Sequence, residues 1–180
     1  GIIVEHYIIS SGLKEMIEGT AIAGEFKKIY ASAFMYDDDG VPEWCAQTIN
    51  YTNKTQFLFR IEKGCPDIND HAGVNEYIPP ERLRVPLRNF VYIGDSDTDI
   101  PCMKLVNSSG GHSIGVYDES GGKEKVYRLI KNNRIRFFAP ADYTEGSVMD
   151  GLLKAIIDKT AAYEKLEERH VENLLEARGN

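Results

Sequence analysis

Residues 90–101 read FVYIGDSDTDIP: four apolar residues, a glycine, then carboxylates at 95, 97 and 99. Phe90, Val91, Tyr92 and Ile93 have the length and the β-forming side chains of a buried parallel strand. Gly94 predicts a sharp exit of the backbone from the sheet. Pro101 suits the first turn of a following helix, with a residue of the Thr98 to Ile100 stretch as its cap. Carboxylates at alternate positions repel one another. A hard divalent cation such as magnesium relieves that repulsion while keeping waters for a phosphorylated ligand. The plainer reading is a βα turn whose aspartates are caps and solvated charges.

Outward from this run, strands and helices alternate. The opening Ile2 to Ile9 predicts a buried strand leading into Ser10, Ser11 and Gly12, and Leu13, Met16 and Ile17 share one face of a helix after it. Lys28 to Tyr36 and Ala46 to Tyr51 read as the arms of a hairpin with its turn at Asp39-Gly40. The three aspartates at its tip lack the ligand spacing of an EF-hand loop. Thr52 to Glu62 predicts a helix capped by Thr52 or Asn53, with Phe57, Leu58 and Ile61 on its apolar face. Lys54 then falls in the first turn, where a cation opposes the helix dipole, an odd choice for stability alone. Residues 69–86 form a proline-containing connection. Further strands are expected at Ser113 to Tyr117 and Ile135 to Ala139, helices at Met103 to Val106 and Lys123 to Lys131, and a long amphipathic helix from Ser147 onward. This alternation predicts an α/β fold with a mainly parallel sheet, in which Ser10 and Asp95 share the carboxyl edge where ligands gather.

Composition narrows the function. The 180 residues carry a net charge of −7. No cluster of lysine and arginine offers the phosphate neutralisation that nucleic-acid binding needs, so no nucleic-acid partner is expected. Cys45, Cys65 and Cys102 are odd in number and scattered, which suits a reducing, cytoplasmic compartment. Glu5 and His6 interrupt the apolar start and the tail is charged, so neither end reads as a membrane or targeting segment.

Ser10 after an apolar strand, Lys54 at a helix start and the run GDSDTD occur in the order of motifs two, three and four of the haloacid dehalogenase-like hydrolase superfamily, which the chain resembles over nearly its whole length. It is most similar to the phosphoserine-phosphatase-like members, whose last acidic motif also reads Gly-Asp-x-x-x-Asp before an apolar residue and often a proline. Residues 141–147, ADYTEGS, look like that group's closing turn. The resemblance implies a Rossmann-like three-layer core with a mainly parallel sheet, a β-hairpin extension and a long C-terminal helix. It implies a small phosphorylated substrate and a magnesium ion. Ser10 would donate its hydroxyl, and Ser11 and Gly12 their amides, to a transferring phosphoryl group. Lys54 would offset the charge on phosphoryl oxygens and aspartates. Asp95 would bind the metal, and Asp99 would support the metal shell or hold Lys54. Asp97 receives no role.

One departure outweighs the matches. The superfamily opens its reaction with an aspartate nucleophile in an Asp-x-Asp motif at the end of the first strand, and no Asp-x-Asp precedes Ser10, where Glu5 is the only acid. Residues 1–180 are therefore expected to be the carboxyl-terminal portion of a hydrolase core, inactive alone. The nucleophile strand and a cap would lie upstream, and the strand's absence would leave two sheet edges open to self-association. The alternative is a catalytically dead binding or assembly module. A receiver-like signalling domain is disfavoured because its lysine follows the acidic strand, whereas Lys54 precedes it.

Overall fold

Short apolar runs and amphipathic segments become six strands and six α-helices among residues 2–179, those that the computed structural model describes. β1 (His6–Leu13) lies parallel to β2 (Phe26–Tyr36), with Ile9 opposite Tyr30. The short α1 (Lys14–Glu18) connects them. β2 then turns back antiparallel into β3 (Pro42–Gln47), pairing Met35 with Trp44. At the hairpin tip Asp37 Oδ1 accepts the amides of Asp39 at 3.0 Å and Val41 at 2.7 Å, so this aspartate is spent on the turn. A second sheet contains β4 (Val91–Gly94), β5 (His112–Tyr117) and β6 (Phe137–Pro140), all parallel. Its crossovers run through α4 (Ile100–Ser108) and α5 (Glu124–Lys131).

The fold is thus α/β and mostly parallel, but its strands form two sheets of three, in the orders β1-β2-β3 and β4-β5-β6. β1 and β4 each end their own sheet, and neither hydrogen-bonds to the other. α2 (Thr55–Lys63) ties the two sheets together. Its Leu58 enters the cluster of Tyr92, Cys102 and Met103, while Phe57 and Ile61 pack with Tyr30 and Ile49. Ile9 of β1 and Phe90, just before β4, rest against both clusters. Each fully buried side chain of this size contributes about 1.5–3 kcal/mol, so α2 is fixed firmly across both half-sheets. The helix ends at Gly64, whose φ of 75° gives the left-handed residue that closes a helix. Buried Arg60 then donates to the carbonyls of Asp67, Ile68 and Asp70, organising the connection toward α3 (His71–Asn75). α6 (Val148–Gly179) buries Met149 and Ile156 against the second sheet, and its later Leu166, Leu174 and Leu175 are exposed. Among the described residues no helix is long and apolar enough to cross a membrane.

Several local expectations shift. Ile2, Ile3 and Val4 are exposed and precede the strand, because β1 has a partner only from His6, opposite Phe26, onward. Beyond Ile9 the pairing slips before resuming at Leu13, which carries the strand through Ser10 and reduces the expected helix to one unburied turn. The second hairpin arm lies earlier than the 46–51 stretch, at Pro42–Gln47. Residues from Thr48 on make side-chain-bonded turns instead: Asn53 Nδ2 donates to Thr48 O at 2.8 Å, and Asn53 Oδ1 accepts Asn50 N at 2.8 Å. These bonds occupy Asn53, so α2 begins at Thr55 with Lys54 as its uncapped N-terminal residue.

Candidate functional site

The loop after β4 is short and internally bonded. Asp97–Asp99 form a turn of 3-10 helix capped by Ser96, whose Oγ accepts Thr98 N at 3.0 Å. The cap position of α4 itself is Asp99, within the expected Thr98 to Ile100 stretch, though its side chain makes no capping bond to that helix. Asp99 Oδ2 accepts Ser96 N at 3.2 Å, completing a capping box. Pro101 follows in the first turn of α4, as expected. Gly94 matters for space and not for a left-handed turn. A Cβ there would meet Asp99 Cβ, Asp99 Oδ2 and Met103 Cε, each at 2.8 Å. Only glycine lets the Asp99 carboxylate fold back against the end of β4.

Folded back, Asp99 meets Lys54. Their ion pair is 2.6 Å long, and the residues are 6% and 4% exposed, so two charges 45 positions apart have been taken out of water together. Such a pair offsets its desolvation only when further hydrogen bonds satisfy it. Tyr92 supplies one, donating its hydroxyl to Asp99 Oδ1 at 2.9 Å. Burial first, and neighbouring groups that include Asp99, push the Tyr92 phenol far up, so it stays a neutral donor. Burial likewise pushes the neighbouring Cys102 thiol up to about 11, which leaves it unreactive.

Asp95 behaves differently. Among the described residues its side chain enters no hydrogen bond or ion pair, while its main-chain carbonyl accepts Lys125 Nζ at 2.6 Å. Asp97, 69% exposed, lies 3.4 Å from the same ammonium. Tyr143 has its phenol pKa raised first by desolvation and then by the Asp95 charge. It is carried on the 141–147 turn, where Asp142 Oδ1 accepts Thr144 N at 3.0 Å and Ser147 Oγ donates to Asp142 O at 2.9 Å.

Ser10 sits near the carboxyl end of β1, next to Ile9, which packs on the cluster that includes Tyr92. Its Oγ accepts Gly12 N at 3.0 Å, which spends that amide but keeps the serine O–H free to donate. The Ser11 carbonyl accepts Ser32 Oγ at 3.2 Å, anchoring the turn to β2. The structure therefore joins Lys54 to Asp99 directly and carries Asp95 on the same loop, four positions before Asp99, while the Ser10 hydroxyl oxygen accepts a bond within its own turn. Tyr92 and Lys125 were invisible as site residues in the sequence: Tyr92 reads as one more apolar strand residue, and Lys125 lies far along the chain with no motif. Tyr143 falls in the 141–147 run that the resemblance picked out, but nothing in that run singled it out.

The donor set suits a hard cation. Among the described residues no three His, Cys, Asp or Glu gather closely enough to hold a metal ion by themselves. Magnesium asks for less: one or two carboxylates, with water and substrate oxygens completing its shell. Asp95 has both carboxylate oxygens available, whereas Asp99 has committed its own to Lys54, Tyr92 and Ser96. The nearest acid before Ser10 cannot join them. Glu5 precedes β1, about 16 Å from Ser10 at strand spacing. Its carboxylate accepts Arg84 Nη2 at 2.5 and 2.7 Å and the hydroxyl of Tyr7 at 2.8 Å, and pairs with Lys27.

A family model described as haloacid dehalogenase-like hydrolase matches residues 3–104, a span that includes β1, α2, β4 and the whole acidic loop. An uncharacterized protein of Borreliella burgdorferi is 27% identical over 161 residues, covering 80% of this chain and 54% of that protein. The chain thus spans about half the length of the curated relative it matches.

Proposed function

Because this chain belongs to the haloacid dehalogenase-like hydrolases, we propose that it provides the phosphoryl-binding half of a magnesium-dependent phosphatase for a small phosphorylated metabolite. The observation that carries the reading is the buried Lys54–Asp99 pair on the loop whose first residue after β4, Asp95, keeps its carboxylate unengaged among the described residues. Asp95 would hold the magnesium ion, which when bound offsets the charge of the phosphoryl group and fixes its orientation. Lys54, fixed by Asp99 and screened from water, is placed to stabilise negative charge on phosphoryl oxygens. The free O–H of Ser10 and the amide of Ser11 would orient those oxygens from the β1 side. Tyr92 has no contact with substrate in this scheme; it keeps the Asp99 carboxylate aimed at Lys54.

The nucleophile of this reading is a carboxylate that attacks phosphorus, expels the alcohol and is itself released when water cleaves the aspartyl-phosphate. Glu5 is disqualified by its ion pairs and by its position at the opposite end of β1. The unpaired edges of β1 and β4, which share α2 and the residues Ile9 and Phe90, favour a parallel strand from outside residues 2–179 lying between them and delivering the carboxylate. The engagement of Glu5, the one acid ahead of Ser10, in ion pairs also favours a second reading, a binding or assembly module that retains the fold without catalysis.

The test uses the full-length protein with a panel of phosphate monoesters. Magnesium-dependent release of phosphate, lowered about 100-fold or more in Asp95→Asn, is the expected result, since an electrostatic contribution of a few kcal/mol is lost. Turnover that ignores Asp95→Asn contradicts the metal assignment, and no turnover on any ester with magnesium bound supports the non-catalytic module.

A further inference from the structure

The three carboxylates of the acidic loop meet two lysines, and the pairing leaves one carboxylate over. Lys54 takes Asp99 at 2.6 Å, and Lys125 lies 3.4 Å from Asp97 while donating to the Asp95 carbonyl at 2.6 Å. Both lysines stand at the amino ends of helices, where their charge opposes the helix dipole. Helix stability does not account for either position. The α5 helix that carries Lys125 is firmly seated, with Val126 and Leu129 buried in the cluster of Cys102 and Met103, so its ammonium reaches the loop from a fixed base.

We propose that Lys125 is a positioning residue for Asp95: it holds the Asp95 peptide by its carbonyl and draws the Asp97 carboxylate outward, so that Asp95 alone presents free carboxylate oxygens to a divalent cation. This rests on the reading of Asp95 as the magnesium ligand. The ammonium contacts the loop through one main-chain oxygen and one exposed carboxylate, so it acts on where Asp95 points and takes no part in the chemistry itself. Without it, the Asp95–Ser96 peptide is held from one side only, by the bond from Ser96 N to Asp99 Oδ2, and Asp97 is free to swing toward Asp95. The loop then loses the single orientation that a demanding, small cation requires. Groups that orient metal ligands in this way change metal affinity by roughly 10- to 100-fold. An ammonium that is 41% exposed belongs at the lower end, about 10-fold, because solvent competes for it.

The test is magnesium titration by calorimetry of the wild-type protein and of Lys125→Ala, Lys125→Arg and Asp95→Asn. Hydrogen exchange of a peptide covering residues 93–100 is followed in parallel. The expected outcome is binding weakened about 10-fold in Lys125→Ala and restored to within about 3-fold in Lys125→Arg, with faster exchange of the 93–100 peptide in the alanine variant before any magnesium is added. A mere surface lysine would move neither quantity. Unchanged affinity and exchange in Lys125→Ala, with binding still lost in Asp95→Asn, overturns the role of Lys125 and leaves the metal site standing. Equal magnesium affinity in wild type and Asp95→Asn overturns the metal reading, and the proposal with it.

Discussion

Replacing Lys54 by methionine keeps most of the side-chain volume and removes the charge, which makes it the sharpest probe of the buried pair. At 2.6 Å, and with an effective dielectric of about 20, the attraction between ammonium and carboxylate is about 6 kcal/mol. Much of this offsets the desolvation of two charges, so the pair itself adds little to net stability. Removing one partner is another matter, because it leaves a buried, uncompensated carboxylate and costs about 3–5 kcal/mol. Tyr92 and Ser96 still donate to Asp99, which places the loss near 3 kcal/mol. For a chain of this length each kcal/mol lowers the melting temperature by about 2–4 °C, so Lys54→Met is expected to melt about 6–12 °C lower. Urea unfolding followed by circular dichroism measures the free energy directly. The double variant Lys54→Met with Asp99→Asn removes the stranded charge and is expected to recover about 2 kcal/mol of that loss, a non-additivity diagnostic of direct contact. A loss below about 1 kcal/mol in Lys54→Met, or a double variant as unstable as the two single losses added together, would refute the buried-pair argument.

Two further perturbations follow from other parts of the fold. The Arg84 guanidinium, then the Lys27 ammonium, hold the Glu5 carboxyl well below its ordinary 4.5, at about 2. The stability from this depressed pKa is present above about 4.5 and is lost as pH falls from there toward 2, so melting temperatures of wild type and Glu5→Gln should converge over that interval; parallel curves would discount the cluster. Gly94→Ala places a methyl group 2.8 Å from Asp99 Oδ2 and from Met103 Cε, and overpacking of this kind costs about 1–3 kcal/mol. An alanine variant that melts with the wild type would mean that Asp99 does not need the room.

Much of this architecture was legible in the residues themselves. Four apolar residues before GDSDTD predicted a strand ending in an acidic turn, and β4 is that strand, because local apolar runs and turn residues act on their own backbone. The apolar face of Phe57, Leu58 and Ile61 was likewise readable, since a helix repeats its faces at fixed spacing. Boundaries moved where distant partners intervened. β1 starts at His6 only because β2 begins to pair there, and α2 starts late because Asn53 is bonded to the preceding turn. A glycine at 94 was expected for its conformational freedom, yet its missing Cβ serves the close approach of Asp99.

The sequence by itself determined the kinds of element, their order and the acids and lysine from which a phosphoryl site is assembled, because propensity, periodicity and turn chemistry operate over a few neighbouring residues. Only the tertiary structure decided which acid each lysine meets, that Tyr92 is a hydrogen-bond donor rather than filler, and that the strands stand as two half-sheets with open edges at β1 and β4. Those outcomes join residues dozens of positions apart, and such pairings are set by how helices pack across the sheets and by which charges can be buried together.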